Sequence, residues 1–292
     1  MEGFLELFTK AERAVNGFVW GPVMLALLVG TGVFLTFRTG WVQVRRFGYI
    51  MKNTVGSLFR KKDAQDHGSN LSPFQAVTTA LAGTVGTGNI AGVTGAIFIG
   101  GPGAVFWMWV SAFFGMCTKY AEIALALKFR DTDANGVHKG GPMYYIEKGL
   151  GKGWKWLAVL FAVLGGVASF GIGNIAQSSE IAGAMTGLFG LDPLVTGIAL
   201  TILVGVVVIG GVKRIGQVTS LLVPFMSVFY VAAGIMVILM RITDIPAVFA
   251  HIFTSAFSFE SVSGGVAGYA IMIAMKNGFA RGVFSNEAGL GS

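Results

Sequence analysis

Charge is what this sequence has least of. Asp, Glu, Lys and Arg make up only 12% of its 292 residues, against about 25% in an ordinary soluble domain. That shortfall excludes a solvated globular chain of this length. Cysteine is almost missing as well. The lone Cys117 sits inside an apolar run, which excludes a disulfide framework and the paired spacing of structural zinc. The three histidines, His67, His138 and His251, fall in loops or interfacial stretches and form no cluster, so a metal site or an imidazole proton relay finds no support. The N-terminal stretch "MEGFLELFTKAERAVNG" places acidic residues before its apolar part and shows no cleavage pattern, so a signal peptide is not expected.

What is present is hydrophobic: 54% of the residues are apolar and the mean hydropathy is +0.71. Crossing a hydrocarbon core about 30 Å thick takes roughly 20 residues of helix. Seven runs meet that length, near 17–37, 74–99, 102–127, 156–185, 193–212, 216–240 and 263–280. The net charge of +7 points to topology rather than nucleic acid, because the basic residues sit in alternate loops. Loop 38–73 carries Arg38, Arg45, Arg46, Lys52, Arg60, Lys61 and Lys62. Loop 128–155 carries Lys128, Arg130, Lys139, Lys148, Lys152 and Lys155. Lys213, Arg214 and Arg281 continue the series, while the opposite loops hold only Lys10, Arg13 and Arg241. The positive-inside rule then puts the N-terminus outside and starts the second span from the cytoplasm. Two further segments read as interfacial. One is the basic amphipathic 41–59, and the other is the apolar but short 245–261. The chain stops just after the seventh run, so a truncated transporter domain over 1–292 is expected.

The second run holds the most fragile backbone. Between Phe74 and Gly101 it is uncharged, with glycines at 83, 86, 88, 92 and 95 and Thr84, Thr87, Asn89 and Thr94 among them. Irregular backbone at membrane depth survives only where protein buries it or where it lines an aqueous cavity. Broken helices of transporters use this arrangement: amides opening one half face an anion, and carbonyls ending the other face a cation. Close helix packing through Gly88-x3-Gly92 and Ala91-x3-Gly95 is the alternative. It accounts for small residues four apart, but not for Gly86-Thr87-Gly88-Asn89 with a polar side chain at mid-span. A nucleotide loop is disfavoured, since the spacing is not G-x-G-x-x-G and no strand precedes it.

Three stretches resemble one family. "GTVGTGNIAGV" (83–93), "GGPGAVFWMWVSAFFG" (100–115) and "ARGVFSNEAGLGS" (280–292) are similar to the alanine or glycine:cation symporters, also called sodium:alanine symporters. The resemblance implies an all-α polytopic membrane protein with a LeuT-like inverted-repeat fold of the APC superfamily. Here that means an extra N-terminal helix, the first repeat and the start of the second. "VGTGN" (85–89) is also similar to the V-G-x-G-N break of neurotransmitter:sodium symporters. By that likeness the Gly86, Thr87 and Gly88 region holds a substrate carboxylate on the Thr87 and Gly88 amides. The Ala82 and Val85 carbonyls hold sodium, and Asn89 serves substrate or ion.

In "ASFGIGNIAQSSEIAG" (168–183), Phe170, Asn174 and Gln177 recur at helical spacing. A buried amide must find a partner. Asn174 is expected to contact substrate, Gln177 to contact substrate or bond a neighbouring helix, and Phe170 to wall the site or simply pack. Lys119 and Glu122 read as a helix-end pair. Glu180 reads as an interfacial, coupling or outer-gate group. "FWMW" (106–109) reads as structural aromatics, and Asn286 and Glu287 as an inner-gate or helix-cap turn. Core helix 1 has no carboxylate, which favours Na⁺ over H⁺ as coupling ion, because sodium needs only carbonyls, hydroxyls and amides. No cofactor is expected.

The reading is therefore a carrier, not an enzyme: sodium-coupled symport of alanine or glycine into the cell across the inner (plasma) membrane. The competing readings are a proton-coupled amino acid carrier and a channel-like or non-transporting membrane subunit. The expected partners are the amino acid, sodium and the lipid bilayer, without nucleic acid. An enzyme would need a nucleophile–His constellation or a metal cluster inside the spans.

Overall fold

The computed structural model describes residues 2–54, 56, 72–134, 136, 138–257 and 264–291. Arg60, Lys61, Lys62, His67 and the far ends of the interfacial segments (57–59 and 258–261) lie outside them.

In chain order the helices are α1 (Glu2–Val19), α2 (Pro22–Arg38), the short α3 (Val42–Arg45) and α4 (Phe47–Thr54), α5 (Pro73–Thr84), α6 (Ala91–Gly100) and α7 (Gly103–Lys128). A small antiparallel pair follows, β1 (Asp131–Thr132) against β2 (His138–Lys139), with Asp131 opposite Lys139. Then come α8 (Pro142–Leu150), α9 (Lys155–Ala168), α10 (Ala176–Phe189), α11 (Pro193–Val208), α12 (Gly211–Met240), α13 (Ile245–Phe257) and α14 (Gly264–Asn286). Between α9 and α10 the helix does not stop but widens into a π-helical stretch, Ser169–Ile175.

Among the described residues, four helical stretches are long and apolar enough to cross a membrane: Glu6–Arg38, Gly103–Lys128, Lys152–Phe189 and Gly211–Met240. A fifth arises if the bent pair Phe74–Thr84 and Thr87–Gly100 counts as one span. The runs near 193–212 and 263–280 do not join them. α11 has only 16 residues, short of the roughly 20 that a crossing takes, and Lys276, Asn277 and Arg281 dilute the apolar run of α14. The faces of the long helices stay apolar and uncovered, with Phe225 71% and Phe229 69% exposed. Such faces suit lipid, which solvates them as readily as a protein core does.

The chain divides into two compact units. The first comprises residues 1–45, 92–121 and 243–290. Here small residues allow close backbone approach: a Cβ on Gly278 would meet the Ala104 carbonyl at 2.6 Å, and one on Gly282 would meet the Ser111 Cβ at 2.7 Å. Aromatic rings close the same contact. Phe106 meets Phe257 at 4.8 Å, and Trp107 meets Phe279 at 5.3 Å between centroids. "FWMW" thus packs α7 on α13 and α14. A buried polar chain ties α2, α3 and α7. The Cys117 thiol donates to Gln43 Oε1 at 2.8 Å, Gln43 Nε2 donates to Thr36 Oγ1 at 3.3 Å, and Thr36 Oγ1 donates to the Gly32 carbonyl at 2.8 Å. With every member satisfied, such a network fixes register rather than destabilising the interior.

The second unit comprises 46–91, 122–242 and 291–292. α5 packs along α12, and α10 packs along α11. α5 opens with a capping box. Ser72 Oγ accepts from the Gln75 N–H at 3.2 Å, and Gln75 Oε1 accepts from the Ser72 N–H at 3.1 Å, with Pro73 at the first helical position. Each bond satisfies a donor that a helix start leaves open. Thr79 and Thr219 pair hydroxyls at 3.1 Å between α5 and α12, a polar tie of the kind that holds helices together in lipid.

Candidate functional site

The sequence asks where the chain breaks between Thr84 and Ala91, and the answer is local. The last ordinary helical bond of α5 runs from the Val85 N–H to the Leu81 carbonyl at 2.7 Å. Val85 and Gly86 are then extended, at φ −93°, ψ 95° and φ −137°, ψ −167°. A single 3₁₀ turn, Thr87–Asn89, follows, closed by bonds from the Asn89 N–H to the Gly86 carbonyl and from the Ile90 N–H to the Thr87 carbonyl, both 3.0 Å. The two helical pieces meet at a bend of 59°. Gly86, Gly88 and the flanking threonines are weak helix formers, so this is where the ladder yields. The break is real.

Its polar groups are satisfied from within the same unit. Gln177, on the first turn of α10, turns its amide oxygen onto Thr87, where Oε1 accepts the Thr87 N–H at 3.1 Å and the Thr87 hydroxyl at 2.7 Å. Gly86 makes room for this amide: a Cβ there would lie 2.9 Å from Gln177 Nε2 and 3.1 Å from Oε1. Asn89 turns back along the chain, donating from Nδ2 to the Thr84 carbonyl at 3.0 Å, and so covers one carbonyl at the end of α5. Ala82 lies in the last turn of α5 and Val85 is the first extended residue after it. Their carbonyls are therefore at the C-terminal end of α5, where the partial negative charge of the peptide dipoles collects.

Of the expected site residues, the structure gathers Gly86, Thr87 and Gln177 into one hydrogen-bonded group, with Gly88 and Asn89 on the same turn. Gln177 takes the interhelix bond that stood beside a substrate role. Asn174 and Phe170 lie on the π stretch. Ser178 Oγ donates to Asn174 Oδ1 at 3.2 Å within the same helix, and Phe170 is 74% exposed. Gln177, one turn further on, bonds the break directly.

Other candidates find different places. Lys119 Nζ donates to the Glu287 carbonyl at 3.5 Å, and Glu122 Oε1 accepts the Gly291 N–H at 3.2 Å, so both serve the chain that follows α14. The same carboxylate, after the larger effect of burial, pushes the Tyr145 phenol above its ordinary pKa and favours its neutral form. Asn286 Oδ1 accepts the Ala288 N–H at 3.0 Å, an Asx turn that bends the chain just after α14. His138 Nδ1 pairs with Thr132 Oγ1 at 2.9 Å, and His251 is exposed on α13. Among the described residues no group of three His, Cys, Asp or Glu is placed to hold a metal.

Sequence reasoning missed one neighbour of the broken helix. Arg281 was counted with the loop cations, yet it lies inside α14. Its guanidinium packs directly on Gly92, where even a methyl group would collide with it, and it lies over the Phe284 ring at 5.0 Å. A cation within an apolar helix is itself a sign of function, and that rule could have singled it out.

Comparison with known proteins gives the family. The profile of the sodium:alanine symporter family matches residues 5–292. The chain is 52% identical to the sodium/alanine symporter AgcS of Methanococcus maripaludis, covering 98% of this chain and 62% of that protein. It is 41% identical to the putative sodium/proton-dependent alanine carrier protein YrbD of Bacillus subtilis, over 96% of this chain and 55% of the relative. It is also 41% identical to the probable sodium/glutamine symporter GlnT of the same organism, over 95% and 55%. The chain therefore spans about three fifths of the length of the curated relatives it matches.

Proposed function

The chain belongs to the sodium:alanine symporter family, and from that premise we propose that it serves sodium-coupled symport of alanine or glycine into the cell by alternating access. The observation that carries the reading is the interruption at 85–90, which takes the Thr87 amide and hydroxyl out of the helical ladder, onto a side-chain acceptor, next to the carbonyl end of α5. A zwitterion needs an anion site and a cation site close together, and an interrupted helix supplies both from its own peptide groups.

In this reading the Thr87 and Gly88 amides take the substrate carboxylate, and the Ala82 and Val85 carbonyls take Na⁺. Asn89 keeps the end of α5 in the shape that aims those carbonyls. Asn174 and Phe170 approach the substrate from the helix that carries Gln177. The break, Val85 to Ile90, holds two glycines, a threonine and no charged residue, which leaves room for a small side chain and offers no fixed charge for a charged one. The absence of a carboxylate from α5 and α6 favours sodium over protons. We assign the protein to the inner (plasma) membrane with its N-terminus outside, on the distribution of Lys and Arg, within a LeuT-like repeat fold.

The test is uptake into proteoliposomes. Radiolabelled alanine should accumulate with saturation when a sodium gradient is imposed, and a proton gradient alone should not drive it. Flux without saturation or stereochemical preference would instead make the protein channel-like, and uptake driven by protons would replace the cation.

A further inference from the structure

We propose that Gln177 is a built-in stand-in for the substrate carboxylate, occupying Thr87 while the carrier is empty and giving way when an amino acid arrives. The inference rests on the reading of the break as the substrate site.

Thr87 has one amide hydrogen and one hydroxyl hydrogen, and both already go to a single acceptor, Gln177 Oε1, at 3.1 and 2.7 Å. Each hydrogen serves one strong acceptor at a time, so a carboxylate cannot take this pair while Gln177 holds it. The stand-in is neutral and the substrate is not. A charge-assisted hydrogen bond is roughly twice as strong as a neutral one, so the carboxylate wins the exchange. The absence of a side chain at Gly86 lets the amide lie on the backbone at 2.9 Å from the position a Cβ would take. A longer residue there would keep Gln177 off Thr87.

The stand-in also answers a problem of the empty state. An amide left open at membrane depth is costly, and Gln177 satisfies it from α10 until substrate does. Release of Gln177 on binding frees α10 from the break, so occupancy of the site is felt one helix away. A direct substrate contact and a displaced stand-in predict opposite effects of removing the side chain. An occluding group lowers apparent affinity by the fraction of time that the site is covered.

Alanine binding in sodium is measured by calorimetry on the purified protein, on Gln177→Ala and on Gln177→Asn, the second being one methylene too short to reach Thr87. Both variants should bind alanine about five- to a hundredfold more tightly, the range expected when two competing neutral hydrogen bonds are removed. Alanine methyl ester, which meets Thr87 with a neutral carbonyl in place of the carboxylate, should bind all three proteins more weakly than alanine does. Weaker alanine binding in both variants would make Gln177 a direct substrate contact and overturn the proposal. Unchanged binding would reduce the bond to ordinary helix packing and overturn it equally. If Gln177→Ala does not fold, Gln177→Asn carries the test, as it keeps the amide and most of the volume. Failure of the unaltered protein to bind any small neutral amino acid would remove the function proposed above and the stand-in with it. Binding by that protein but not more tightly by the variants removes the stand-in alone.

Discussion

Two regions of this molecule carry nearly the same tetrapeptide and do different things with it. Gly86-Thr87-Gly88-Asn89 ends one helix and starts another, with a bend of 59°. Gly171-Ile172-Gly173-Asn174 only loosens its helix into a π-helical stretch that runs on into α10. Glycine lowers the cost of leaving the α-helix in both, by about 1 kcal/mol per residue relative to alanine. It does not say where the chain goes next. At the first site a partner takes what the break releases, since Gln177 accepts from Thr87 and Asn89 covers the Thr84 carbonyl. At the second, the asparagine accepts from Ser178 of its own helix, and a Cβ on either glycine would meet nothing within 4 Å. Weak helix formers permit an interruption, and an acceptor on the neighbouring helix makes it.

The largest expected effect breaks this contrast. Gly86→Val puts a branched side chain on the backbone that the substrate carboxylate has to approach, as well as where the Gln177 amide lies, an overpacking of about 1–3 kcal/mol. Sodium-driven alanine uptake should fall about five- to a hundredfold while membrane insertion, followed by expression in the membrane fraction, is retained. Uptake at the normal rate would show that the close approach is dispensable.

The two asparagines sharpen the comparison at intermediate size. Asn89→Ala removes the donor from the Thr84 carbonyl, at a cost of about 1–3 kcal/mol, so both thermal stability and alanine affinity should drop. Asn174→Ala, on the exposed π stretch, should weaken alanine affinity and leave the unfolding temperature in place. An unchanged half-saturation constant for the second variant would take Asn174 off the substrate site. The smallest effect belongs to Gly173→Ala. It meets open space, so it should stabilise the helix by up to about 1 kcal/mol and alter uptake less than Gly86→Ala does.

Much of this was legible in the sequence. The start of α5 was written in Ser72, Pro73 and Gln75, and the helical runs followed from the sparsity of charge. The fragility of 85–90 followed from its glycines and threonines. Less legible were α8, hidden in a loop read only for its lysines, and the shortness of α11, which a count of apolar residues overestimated. Arg281 was misread because a charge near the end of an apolar run looks like a loop charge until the helix is seen to continue past it. The partner of Gln177 was likewise open, since periodicity gives a side chain's face on its own helix but not what that face meets.

The sequence alone determined that this chain is a set of apolar helices with one uncharged, glycine-rich weak point. Propensity and hydrophobic length are properties of short stretches and need no partner. Tertiary structure decided that Gly86–Asn89 becomes a break while Gly171–Asn174 stays helical, and that Thr87 faces Gln177. A hydrogen bond between residues 90 positions apart depends on how two helices pack, and no local pattern records that.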